Sequence, residues 1–107
     1  MDRLETITID KIVKLVISAA APEKILLFGS RARGDHARNS DIDILILKKK
    51  LKNARKLTAN LYKSFLAENI SVPVDLLAID YDRYAELKNE NGYIYKTIAR
   101  EGQVLYG

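Results

Sequence analysis

The spacing of apolar residues changes along the chain, and each change predicts an element. From about Thr8 to Ala21, Ile9, Ile12, Val13, Val16 and Ile17 recur at three and four residues, the period of one helix face; Thr8 can cap its start and Pro22 stops it. Lys24 to Phe28 is a short apolar run closed by glycine, which predicts a buried strand. Residues 29–41 are polar and rich in Gly, Arg and Asp, a loop with room for one helical turn. Ile42 to Leu47 is apolar on both faces after Asp43, as a central strand should be. Leu51 to Asn69 places Leu57, Leu61 and Phe65 in an i, i+4 row, a second long helix. Val72 to Ile79 predicts a third strand, Tyr81 to Lys88 a helix, Tyr93 to Arg100 another after the Asn89–Gly92 break, and Val104 to Tyr106 a short edge strand. The order α-β-loop-β-α-β-α-α-β predicts one domain over residues 1–107, of α/β or two-layer α+β class, with a small mixed sheet and helices packed on it.

Composition narrows the class. With 107 residues, 48% apolar and net charge +4, the chain can build one core and does not have the composition of a disordered segment. There is no cysteine, so disulfides, thiolate metal sites and a cysteine nucleophile are excluded. The longest uncharged apolar stretch, Leu15 to Pro22, is far short of a membrane span, and the opening MDRLETITID carries acids where a signal peptide would be basic and then apolar. A cytoplasmic protein without membrane association is expected. Charge is uneven: between Arg31 and Lys56 nine Lys/Arg face three Asp, leaving the rest of the chain net acidic. That concentration suggests an anionic ligand met at one place, although Lys48-Lys49-Lys50-Leu51-Lys52 reads equally as a solvated helix start.

The chemistry concentrates in Phe28 to Asp43. Asp41 and Asp43 sit two apart at the head of an apolar strand, so both side chains leave one face. Carboxylates about 6.6 Å apart repel by roughly 2–3 kcal/mol at an effective dielectric of about 20, a cost that a cation between them removes. Oxygen ligands without His or Cys favour Mg²⁺ or Mn²⁺ over zinc. Gly29-Ser30 follows the first strand directly. Glycine lets a ligand approach the backbone, Ser30 offers a hydroxyl and an N–H, and Arg31 and Arg33 add donors for phosphate. A phosphate cradle beside a divalent-cation clamp specifies a nucleoside triphosphate with Mg²⁺. Asp75, flanked by Val74 and Leu76, offers a third carboxylate; in an apolar run it must be neutral, paired with an arginine such as Arg31 or Arg33, or metal-bound. Asp80 lies at the strand end, where a helix N-cap role suits it better. His36, the only histidine, reads as a solvent-facing loop residue.

Gly29-Ser30, ten residues, then Asp41-Ile42-Asp43 resembles the G-S-x10-D-x-D signature of the polymerase-beta-type nucleotidyltransferases. By chance such a match arises in roughly one sequence in a thousand of this composition. The chain looks most like the minimal nucleotidyltransferases (MNT), small partners of HEPN-domain proteins, and the resemblance runs over nearly the whole chain. It implies that Asp41 and Asp43 bind two Mg²⁺ ions on a triphosphate and that Asp75 ligates the catalytic metal and helps activate an acceptor hydroxyl. Gly29 and Ser30 would hold the terminal phosphates, and attack on the α-phosphorus would release pyrophosphate.

For function, the resemblance implies an antitoxin that transfers AMP from ATP to a hydroxyl, a tyrosine in such systems, of a HEPN toxin. The alternatives are a binding module that neutralises a HEPN ribonuclease by contact alone, and a small-molecule nucleotidyltransferase. The last usually needs a further domain to bind its acceptor, and 107 residues leave no room for one. A shortage of acceptor-binding chain implies a hetero-oligomer. No segment reads a nucleic-acid base edge, so direct nucleic-acid binding is not expected.

Overall fold

In the computed structural model, residues 2–37 and 39–107 are described; Met1 and Arg38, one of the nine cations between Arg31 and Lys56, lie outside the described residues. Helix α1 (Arg3–Ala20) starts well before Thr8 because Asp2 caps it, its carboxylate accepting from the Glu5 N–H at 2.8 Å. Ala21 then turns left-handed (φ 45°) ahead of Pro22 and ends the helix. Strand β1 (Lys24–Phe28) leads directly into the five-residue α2 (Gly29–Arg33), so the single turn expected after the glycine forms. Strand β2 (Ile42–Lys48) pairs antiparallel with β1 and in parallel with β3 (Val74–Asp80), while β4 (Gln103–Tyr106) closes the other edge of β1; the order is β3-β2-β1-β4. Helix α3 (Ala54–Ala67) joins β2 to β3, and α4 (Tyr81–Leu87) and α5 (Ile94–Glu101) lie between β3 and β4. The small mixed sheet with packed helices is the architecture read from the sequence.

The pleat explains how the sheet is covered. Ile25, Leu27, Ile42, Ile44 and Ile46 pack with Ile9, Ile12 and Val16 of α1 and Leu61 and Phe65 of α3. The intervening residues Leu26, Phe28, Leu45 and Leu47 pack on the opposite face with Tyr84 of α4 and Ile98 of α5. Helices therefore cover both faces, which is why β2 reads as continuously apolar. Ile44, Leu45, Ile46 and Leu47 are all fully buried, and each such side chain contributes about 1.5–3 kcal/mol of hydrophobic stabilisation. Among the described residues no helix is long and apolar enough to cross a membrane.

The start of α3 differs from the sequence reading. Asn53 caps it, accepting from the Lys56 N–H at 3.0 Å, so the lysines at 49, 50 and 52 lie in a turn before the helix, with Lys50 left-handed (φ 58°). Asp80 takes the cap role expected of it: its carboxylate accepts from Asp82 N at 3.1 Å, Arg83 N at 3.2 Å and Leu51 N at 3.3 Å. The hydrogen bond from the Arg83 N–H, with the other backbone donors, holds this carboxyl below the usual Asp range. Its contribution is therefore present above the ordinary carboxyl pKa and is lost as the pH falls through the lowered one. Asp80→Ala should lower Tm by roughly 5 °C at neutral pH, with the deficit shrinking in acid and nucleotide binding unchanged. Thermal melts across pH check this.

Candidate active site

The ends of three strands and the start of α2 meet on one side of the sheet. Asp43 alternates with Leu45 and Leu47, and Asp75 with Leu77 and Ile79, so both acids leave the face that α4 and α5 cover. They are register partners in the parallel ladder, on strands whose backbones run roughly 4.8 Å apart. Asp43 is also the register partner of Phe28 on the other side, which puts it against the α2 turn. Asp41 precedes β2 by one residue and is exposed.

Gly29 is the contact point between the two halves of the site. Its φ is +73°, and a Cβ built there would run into Asp43 Oδ2 and lie 3.1 Å from Asp43 Cγ. Only glycine lets the turn approach the carboxylate this closely. Ser30 follows, half-buried at the start of the turn. Beside Gly29 a mostly apolar hollow of about 150 Å³ opens between Phe28, Ile94, Thr97 and Ile98, with Arg33 and Glu101 at its rim.

The electrostatics agree with this geometry. Partial burial pushes the Asp43 carboxyl above the usual Asp range; the Asp75 and then the Asp41 carboxylates add to it, and Arg31 and Arg33 oppose it. Three acids thus feel one another at one strand end. Among the described residues no three His, Cys, Asp or Glu side chains are drawn close enough to grip a metal ion as they stand. The donor set is all oxygen, and its excess negative charge is what a hard divalent cation neutralises, so the residues fit Mg²⁺ or Mn²⁺.

Three expectations change. Asp75 is exposed, so the burial cost argued from its apolar neighbours does not arise, and among the described residues it forms no ion pair with Arg31 or Arg33. Arg31, expected to face phosphate, turns away from the turn's open side: it is 4% exposed, with Nη1 2.8 Å from Glu5 Oε1, Nη2 donating to Ser40 O at 2.7 Å and Nε to Asp41 O at 3.3 Å. Arg33 stays at the rim, between Asp35 at 3.1 Å and Glu101 at 3.6 Å. His36 is not solvent-facing; its side chain is 16% exposed and its Nε2 lies 3.4 Å from Glu5 Oε1.

The basic residues do not form one patch either. Lys48 ends β2 five residues beyond Asp43, about 16 Å along the strand, so Lys48–Lys56 lies at the opposite end of the sheet from the acids. Sequence reasoning missed Glu5, Glu101 and Gln103, whose amide donates to Ala32 O at 2.9 Å and ties β4 to α2. All three act across the fold, where no local pattern signals them.

The family profile for "Polymerase beta, Nucleotidyltransferase" matches residues 10–107. No curated protein sequence matches the chain. Several solved structures do. A toxin–antitoxin complex with AMP-PNP is 28% identical, with a TM-score of 0.67 over 92% of this chain and 72% of that one. A nucleotidyltransferase-like protein from Sulfolobus solfataricus is 28% identical, with a TM-score of 0.59 over 91% and 75%. The complex of a tri-AMPylated Shewanella oneidensis HEPN toxin with its MNT antitoxin, 23% identical with a TM-score of 0.64 over 95% and 71%, shares the fold.

Proposed function

Because the chain belongs to the polymerase beta nucleotidyltransferase family, we propose that it transfers AMP from ATP to a hydroxyl of a HEPN-domain toxin, a tyrosine by the family resemblance, and so acts as an antitoxin. One observation supports this most: Asp43 stands in register with Asp75 and in contact range of Gly29, so cation-binding and phosphate-binding elements share one strand end. A similar toxin–antitoxin complex binds AMP-PNP, which supports ATP as the nucleotide. The ATP requirement puts the activity in the cytoplasm.

Asp41, Asp43 and Asp75 would hold the divalent cations, Mg²⁺ or Mn²⁺ and two by the resemblance. Bound there, the cations offset charge on the attacking and leaving oxygens. The chain's own groups do the rest. Gly29 leaves its backbone open to the terminal phosphates, and Ser30 donates its N–H and hydroxyl to them. Asp75, exposed at the strand end, accepts the proton of the acceptor hydroxyl. The hydroxyl oxygen bonds to the α-phosphorus, the α–β bridging bond breaks, and pyrophosphate leaves. Positioning of the acceptor, worth several kcal/mol in a two-substrate reaction, falls to the partner chain.

Incubation with ATP, Mg²⁺ and the protein encoded next to this chain, followed by intact-mass measurement of both, tests the reading. One or more AMP units on the partner, absent with Asp41→Ala, is the expected result. A tight complex that silences the partner with no mass change, and that Asp41→Ala leaves intact, would replace it with neutralisation by contact.

A further inference from the structure

We propose that Arg31 is a positioning residue that fixes the nucleotide turn and the head of the acidic strand in one relation, an inference that rests on the nucleotidyl-transfer reading. Arg31 is the one charged residue fully buried among those described. Its backbone follows Ser30 within α2, so moving its side chain moves the turn. Its guanidinium ties α2 to two other segments through three acceptors: Glu5 on α1 through Nη1, and the lead-in to β2 through Nη2 to Ser40 O and Nε to Asp41 O. The last two contacts are to the backbone carbonyls that lead into Asp41 and Asp43.

Among the described residues, little else fastens that lead-in. Outside the sheet ladder, the hydrogen bonds of the described residues 36–41 run either from Ser40 to Ala37 or from Arg31. Glu5 in turn anchors Arg31 and receives His36 at 3.4 Å. The close Arg31 guanidinium holds the Glu5 carboxyl below the usual Glu range. Arginine suits the task because its planar fork reaches three acceptors at fixed angles; a lysine ammonium on a single stem cannot span them. The Arg31 guanidinium is engaged by these three protein acceptors. It sets the distance between the turn and the head of the acidic strand.

The predicted consequence is specific to nucleotide held with metal. Arg31→Lys keeps the buried positive charge opposite Glu5 but releases the carbonyls. Its ATP affinity in Mg²⁺ should fall roughly 10–100-fold, the usual cost of losing a group that orients metal ligands, with about twofold change or less in EDTA. Simple destabilisation would reduce the folded fraction equally in both buffers and leave the Mg²⁺-to-EDTA ratio unchanged. Glu5→Gln, which keeps the shape and loosens the anchor, should lower the same ratio about threefold or more and decides the matter if Arg31→Lys does not fold. A wild-type ratio retained in whichever variant folds overturns the inference. A wild-type chain whose ATP affinity is the same in Mg²⁺ and EDTA instead overturns the nucleotidyl-transfer reading, and this inference with it.

Discussion

Asp43→Asn is expected to lower AMP transfer at least about a thousandfold, a loss of ~4 kcal/mol of transition-state stabilisation, while raising Tm in EDTA by a few degrees. Both effects have one source. Asp43 is enclosed between the Gly29 turn and Asp75, so its charge is suited to a cation and costly without one. Burial, then Asp75 and Asp41, hold its carboxyl above the ordinary value of 3.8. The folded chain therefore binds this proton more tightly than the unfolded chain does. The contribution favours folding in acid and is lost as the pH rises from the ordinary carboxyl pKa through the raised one, leaving a penalty at neutrality. Asparagine removes that penalty along with the ligand. The Tm gain should shrink below about pH 4. A lower melting temperature for Asp43→Asn in EDTA at neutral pH would mean that the carboxylate stabilises the fold, contrary to this account.

Gly29→Ala should cost more than the same change at Gly34, and the difference isolates the contact with Asp43. Both glycines have positive φ, +73° and +81°, so an alanine at either site carries about 1–2 kcal/mol of backbone strain. At Gly34 nothing lies within 4 Å of the added methyl. At Gly29 the methyl overlaps the Asp43 carboxylate, which must move. Gly34→Ala should thus lower Tm by roughly 5–10 °C with transfer intact. Gly29→Ala should fall further in Tm and lose transfer about a hundredfold, the effect of displacing a reacting geometry by about 1 Å. Thermal melts and transfer rates on the two variants together check the prediction; equal losses of transfer would dissociate Gly29 from the site.

The sequence revealed most where the physics is local. Strand periods, the Pro22 stop and the Asp80 cap all act within a few residues, and they stand where the pattern placed them. Helix starts moved because side-chain caps at Asp2 and Asn53 decide them more sharply than apolar period does. At the site, the sequence placed Asp43 at the head of β2 and Asp75 in the third strand, whereas the register that sets them side by side came only with the assembled sheet. Arg31 was misread because charge near a phosphate motif suggests a phosphate contact, whereas its Glu5 partner comes from another element. The basic concentration misled for a related reason: neighbours in sequence lie at opposite ends of β2 once that strand is extended. Of the tyrosines, Tyr84 packs in the core, Tyr62 accepts a hydrogen bond from the Leu76 N–H at 2.9 Å, and Tyr93 stays exposed.

The central claim is a particular bond cleavage, and the label position in ATP reports it most directly. The chain, Mg²⁺ and the protein encoded beside it are incubated in parallel with ATP labelled at the α- or at the γ-phosphate, and protein-bound label is counted. The account predicts that α-label is retained on the partner, that γ-label leaves as pyrophosphate and is absent from protein, and that the bound α-label is lost on adding EDTA. Retained γ-label, or α-label retained equally in EDTA, would contradict it.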